Sequence, residues 1–132
     1  MIKRTLGFVA TVCVAAGLLQ AHHSLAGVYD MKNEKELSGT VAKLQFTNPH
    51  GSLSIAVKNE DGSTTEWVLT TGSATALAQR GIGKTGPNAL HVGDAIKVKL
   101  LPAKDGGPLG ALRAVIFPDG RVILTSGANP ND

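Results

Sequence analysis

Between Leu37 and Phe46 the alternation of apolar residues changes phase. Leu37, Gly39 and Val41 share one face of an extended chain, and after a slip Leu44 and Phe46 share a face. Side chains in a strand repeat every two residues, so a slip of one turns the whole set over. A strand that carries such a slip holds a bulge or bend, the device with which barrels turn corners. The segments that follow alternate without interruption: Leu53, Ile55 and Val57; Thr65, Trp67 and Leu69; Ile96, Val98 and Leu100. Asn48-Pro49-His50-Gly51 and Asn59-Glu60-Asp61-Gly62 supply turn chemistry between them, with Pro49 suited to a first central position.

Between the third and fourth strands, Ser73 can cap a short helix with Ala74, Leu77 and Ala78 on one stripe and Gly81 as its stop. Gly81 to Leu90 is rich in Gly and Pro and reads as a flexible loop. Pro102 to Pro108 forms another loop, and a fifth strand is expected from about Leu109 to Phe117. Pro118-Asp119-Gly120-Arg121 can close a hairpin onto Val122-Ile123-Leu124. Three strands, a helix and two further strands, with a bent first strand, predict a mainly β chain. The expected architecture is a small barrel like the oligonucleotide/oligosaccharide-binding (OB) fold, with one short helix. An immunoglobulin-like sandwich would need about seven strands and no helix at this place.

The N-terminus reads as an address. Lys3 and Arg4 precede a run of about fourteen apolar or small residues from Leu6 to Leu19, ending Leu19-Gln20-Ala21. That run is shorter than the ~20 residues a membrane-spanning helix needs. It fits a signal peptide, residues 1–21, cut after Ala21; a cut after Gly17 would leave a shorter apolar core. The mature chain would start at His22 and be periplasmic or secreted, without stable membrane insertion. Residues 22–35 form a polar arm, 36–124 the barrel domain, and 125–132 a tail expected to be disordered.

Composition then excludes several chemistries. The chain has 13 basic and 10 acidic residues; without Lys3 and Arg4 the balance is 11 against 10. The remaining cations form no cluster, and the few aromatics argue against a nucleic-acid groove. Trp67 lies in an alternating pattern and reads as a core residue. Cys13, the only cysteine, belongs to the leader, so the mature domain has no disulfide and no thiolate. Gly81-Ile82-Gly83-Lys84-Thr85 lacks the first glycine of a phosphate-binding loop, because Ala78 stands there, and Pro87 opposes a following helix. Gly51-Ser52-Leu53-Ser54-Ile55 lacks the second glycine of a nucleophile elbow. Glu34 with Glu36, and Glu60 with Asp61, read as solvated strand ends and turns. No catalytic constellation is present in the sequence.

The histidines remain. Cleavage after Ala21 makes His22 the first residue, with His23 next. A terminal histidine offers a free amine and a ring nitrogen to one ion, and both lose protons near neutral pH. A further imidazole would complete a nitrogen set that suits Cu(II). His50 is the leading third ligand, because the arm is long enough to run back along the first strand to its turn; His91 is a weaker candidate. His50 can equally be a residue that only hydrogen-bonds its turn, and the paired histidines can be solvent-exposed polar residues. A cut after Gln20, disfavoured for signal peptidase, would instead place His23 third, where amine, amides and imidazole hold Cu(II) or Ni(II).

These segments resemble an exported bacterial family, domain-of-unknown-function family 6152. The resemblance covers most of the mature chain and rests on Ala21-His22-His23-Ser24, Tyr29-Asp30, Leu37-Ser38-Gly39-Thr40-Val41, Asn48-Pro49-His50, Trp67, Gly93-Asp94 and the Pro102 to Gly106 loop. It implies a leader and a small β-rich domain, and it places His22, His23 and His50, but not His91, on family histidine motifs. It supplies no activity. The expectation is a periplasmic binding or accessory protein with copper as a candidate ligand through His22, His23 and His50. The alternative is a metal-free interaction module that holds an envelope protein or a small ligand.

Overall fold

The computed structural model describes residues 26–125. Five long strands form the body: β1 (Lys35–Gln45), β2 (Gly51–Lys58), β3 (Thr64–Thr71), β6 (Ala95–Pro102) and β7 (Leu109–Ile116). Helix α1 (Ala74–Gln79) and the two-residue strands β4 (Ile82–Gly83) and β5 (Asn88–Ala89) lie between β3 and β6, and β8 (Val122–Leu124) ends the described chain. Strand β1 pairs antiparallel with both β2 and β6, and β7 pairs antiparallel with β6. The circuit closes where β3 meets β7 in parallel, Val68 to Thr70 against Leu109 to Ala111. This is the closed OB-like barrel with a short helix that the sequence predicts.

The slip in β1 is real. Its register with β2 runs Thr40↔Ala56 and Val41↔Ile55, then shifts so that Lys43 faces Ser54 and Leu44 faces Leu53. Ala42 is the extra residue, and it lets Val41 and Leu44 both serve the interior. A second shift falls in β6–β7 between Lys99 and Leu100. Two glycines allow close approaches that a side chain would block. A Cβ on Gly39 would stand 2.7 Å from the Ala56 carbonyl oxygen, and one on Gly110 would collide with Leu100.

Val41, Leu53, Ile55, Leu69, Val98, Leu100, Leu112 and Val115 fill the barrel, each buried. Leu77 is the buried residue of α1 and plugs one end. Ser73 caps that helix as expected, its Oγ accepting from the Ala76 N–H at 3.1 Å. Trp67 packs against the core from its edge and is only half-buried, with Lys35 Nζ 4.9 Å from its ring centre. The core reading of Trp67 therefore holds for one side of the ring.

Two expectations change. The Gly81–Leu90 segment is not a free loop: Ile82 and Leu90 are buried in the core, and the Asn88 and Leu90 N–H groups donate to the Gly81 and Gly83 carbonyls. Its glycines make tight turns possible while its two apolar residues fasten it down. Arg121 reinforces this fastening with a 2.6 Å hydrogen bond from Nη1 to Asn88 Oδ1. At the other end, Thr125 is buried and bonds through its N–H and hydroxyl to the Arg113 and Leu112 carbonyls; the rest of the expected tail, 126–132, lies outside the described residues, as do the expected leader, 1–21, and residues 22–25.

Candidate functional site

The turn between β1 and β2 is built from side chains that bind each other and α1. Thr47 Oγ1 donates to the His50 carbonyl at 2.7 Å, and the Ala74 N–H donates to the Thr47 carbonyl at 3.1 Å. Asn48 Oδ1 accepts from the Thr75 N–H at 3.3 Å, while its Nδ2 faces Thr75 Oγ1 at 3.4 Å. The first N–H groups of a helix have no partner within it. Here Thr47, Asn48 and Ser73 satisfy those of Ala74, Thr75 and Ala76 in order. The Asn48–Pro49 peptide bond is cis.

His50 stands apart in this arrangement. Its carbonyl holds the turn and its residue is exposed, but among the described residues no group hydrogen-bonds or ion-pairs with its imidazole. His91 is different. Its N–H donates to Asp94 Oδ2 at 2.8 Å, and its Nδ1 lies 3.6 Å from the same oxygen. Asp94 and Gly93 in turn bracket Val41: the Val41 N–H donates to the Asp94 carbonyl, and the Gly93 N–H to the Val41 carbonyl, both at 2.8 Å. The Gly93-Asp94 pair is thus the clamp that holds the bulged part of β1, and Gly93 takes a φ of 97° to make it.

The arm is anchored at Tyr29. Its ring is buried against Leu101 and Ala103, with Ala111 beside them. Tyr29 bridges Ala103, the Asp30 N–H donates to the Pro102 carbonyl at 2.8 Å, and the Lys104 N–H donates to the Val28 carbonyl at 2.9 Å. The Tyr29 hydroxyl lies 3.1 Å from Thr70 Oγ1, which is 3.4 Å from the Gly110 carbonyl. Residues 28–30 therefore follow the β6–β7 hairpin and not β1, because that hairpin offers unpaired backbone and an apolar seat. Asp30 closes its own turn, accepting from the Lys32 N–H and Asn33 Nδ2. Those bonds, Asn33 first, hold its carboxyl below the ordinary 3.8.

His22 and His23 lie outside the described residues. Among the described residues no three His, Cys, Asp or Glu side chains form a metal-holding group, so His50 and His91 do not make a site by themselves. The roles of Tyr29, Asn48 and Asp94 escape sequence reading. Each acts on a residue far along the chain or through a carbonyl that leaves no pattern.

Fold and turn define a small closed OB-like barrel whose β1–β2 turn is braced by its own polar side chains and in which, among the described residues, the His50 imidazole is unengaged. The chain belongs to a family of unknown function (DUF6152), whose model matches residues 9–112. Neither the curated proteins nor the solved structures gave a match to it.

Proposed function

We propose that this chain is an exported binding protein that takes up Cu(II) through an N-terminal His22, by amine and ring, with His50 as a further ring and His23 as an alternative ligand. The observation that carries the reading is the His50 imidazole. The Asn48 side chain ties the turn to Thr75 of α1 and the Thr47 hydroxyl ties it to the His50 carbonyl, whereas among the described residues the His50 ring makes no hydrogen bond or ion pair. A turn fixed in this way presents a nitrogen without having to order itself on binding, which lowers the cost of capture.

Reach permits it. From Tyr29 to β2 the path crosses Ala103, β7 and β3, about four strand spacings or roughly 20 Å on an unrolled sheet. Residues 26–28 are helical, which holds the segment from His22 to Tyr29 to about 18 Å. Opening that single turn lengthens it to about 25 Å, so the reading requires the turn to unwind when the ion binds. Neutral amine and imidazole nitrogens favour copper over the other divalent first-row ions.

The test is a Cu(II) titration of the mature protein, with its first residue fixed by mass spectrometry, against His50→Ala. Losing a direct ligand should weaken binding by at least about tenfold, since even outer partners of a ligand are worth that much. Equal, weak binding by both proteins, or a mature chain that does not start at His22, refutes the site. That result would favour the metal-free interaction module.

A further inference from the structure

Strand β1 has a partner on its β6 side only from Lys35 to Thr40. Beyond the Ala42 bulge it parts from β6, and the buried loop that carries Leu90 closes the gap incompletely. A cavity of about 340 Å³ remains, lined by Ala42, Lys43, Leu44, Lys84, Leu90, His91 and Val92. Its wall is apolar: Leu90 is in the core, Leu44 packs against it, and Val92 is 67% exposed among the described residues. Its rim is cationic. Lys43 comes from β1 and Lys84 from the β4–β5 segment, and neither makes an ion pair among the described residues. Lys97 and Lys99 instead lie 4.0 Å from Glu36 and 3.9 Å from Glu34, while Lys32, Lys58 and Lys104 are as unpaired among the described residues as Lys43 and Lys84 but do not line this cavity. The carboxylate nearest the rim in sequence, Asp94, is occupied by the His91 N–H.

We propose that this groove binds a small amphiphilic carboxylate, with a short acyl or aryl chain against Leu44 and Val92 over the floor that buried Leu90 closes, and its anionic head between Lys43 and Lys84. An apolar wall with a few convergent polar groups is the usual form of a small-molecule site. Two lysines on separate elements without an acidic partner set the charge of what it takes. A second cavity, about 400 Å³ beside Ile116 and Phe117, is larger, but its lysine, Lys97, already faces Glu36. This inference does not rest on the copper reading, since His50 lines neither cavity.

The experiment is a ¹H–¹⁵N NMR titration of the mature protein, metal-free in EDTA, with octanoate below its micelle concentration and with 1-octanol as the neutral control. Saturable shifts at Ala42 to Leu44, Lys84 and Leu90 to Val92 are expected. Lys43→Ala with Lys84→Ala should weaken octanoate at least about fivefold, as two exposed charge pairs are lost, and leave octanol unchanged. His50→Ala should bind octanoate like the parent. Equal affinity for octanol and octanoate, shifts centred on Ile116 and Phe117, or no saturable shift at millimolar octanoate would each overturn the proposal.

Discussion

Barrel closure rests on Gly110, and Gly110→Ala should measure what it is worth. The residue faces Leu69 where β7 meets β3, and Pro102 on its β6 side. An added Cβ would collide with Leu100 Cδ1, stand 3.0 Å from the Leu101 carbonyl oxygen, and come within 3.3 Å of Leu69 Cδ2. Leu100 and Leu69 are both fully buried, so neither can swing into open space. The carbonyl belongs to a paired strand and cannot retreat without loosening the sheet. Overfilling of this kind costs about 1–3 kcal/mol. Alanine restricts the unfolded chain and returns about 0.4–1 kcal/mol. The net loss should be about 1–2 kcal/mol, which for a domain of this size lowers Tm by roughly 5–15 °C. Calorimetry and urea unfolding of the protein read it directly. Gly72→Ala is the control, because nothing stands within 4 Å of its added Cβ, and it should stay within about 0.5 kcal/mol of the parent. A Gly110→Ala protein that melts with the parent would refute the claim that the parallel β3–β7 contact is closed this tightly.

Leu77→Ala removes the side chain by which α1 plugs the barrel and should cost about 2–5 kcal/mol in chemical denaturation; a loss under 1 kcal/mol would mean that the helix only rests on the surface. Tyr29→Phe deletes the hydroxyl that meets Thr70 and should cost about 1 kcal/mol. A double-mutant cycle with Thr70→Val should show coupling between the two positions, and strict additivity would deny the contact. The Asp61 carboxyl is held below 3.8 by the Ser63 hydroxyl first and the Ser63 N–H second. Since the folded value is the lower one, its contribution to stability is complete above about 3.8 and is lost as the pH falls through that folded value. Carboxyl-carbon NMR should find its midpoint below 3.8 and move it upward in Ser63→Ala; a midpoint at or above 3.8 in the parent would contradict the turn.

Much of the barrel could be read because its strands are amphipathic in the simplest way. The slip between Val41 and Leu44 appears in the letters and reappears as the shift at Ala42. Ser73, Leu77 and Gly81 mark their helix from cap to stop. The parallel closure could not be read, because Leu69 and Gly110 lie 41 residues apart and nothing local says that they meet. The Gly81–Leu90 segment misleads for a physical reason: Gly and Pro report turn geometry, not mobility, and the two residues that decide mobility, Ile82 and Leu90, are isolated apolar letters. Of the candidate site, the exposure of a histidine in a Pro turn was legible, but not that Thr47 and Asn48 would relieve it of structural duty.

The bulge at Ala42 ties these features together. Because β1 gains one residue there, its second half leans toward β2 and away from β6. The lean has two consequences on opposite sides of one strand. Toward β2, it delivers the Phe46–His50 turn against the start of α1, where Thr47 and Asn48 find N–H groups that the helix cannot satisfy itself. Toward β6, it opens a gap that Gly93 and Asp94 bridge only at Val41, leaving the rest to Leu90 and the lysines. A regular β1 would pair along its whole length, seal the groove and miss the helix. The His50 turn and the Lys43 side of the groove therefore flank the same irregularity in β1. Strands bend in this way next to binding sites more often than elsewhere, and here the bend lies between the His50 turn and the groove that Lys43 and Lys84 line.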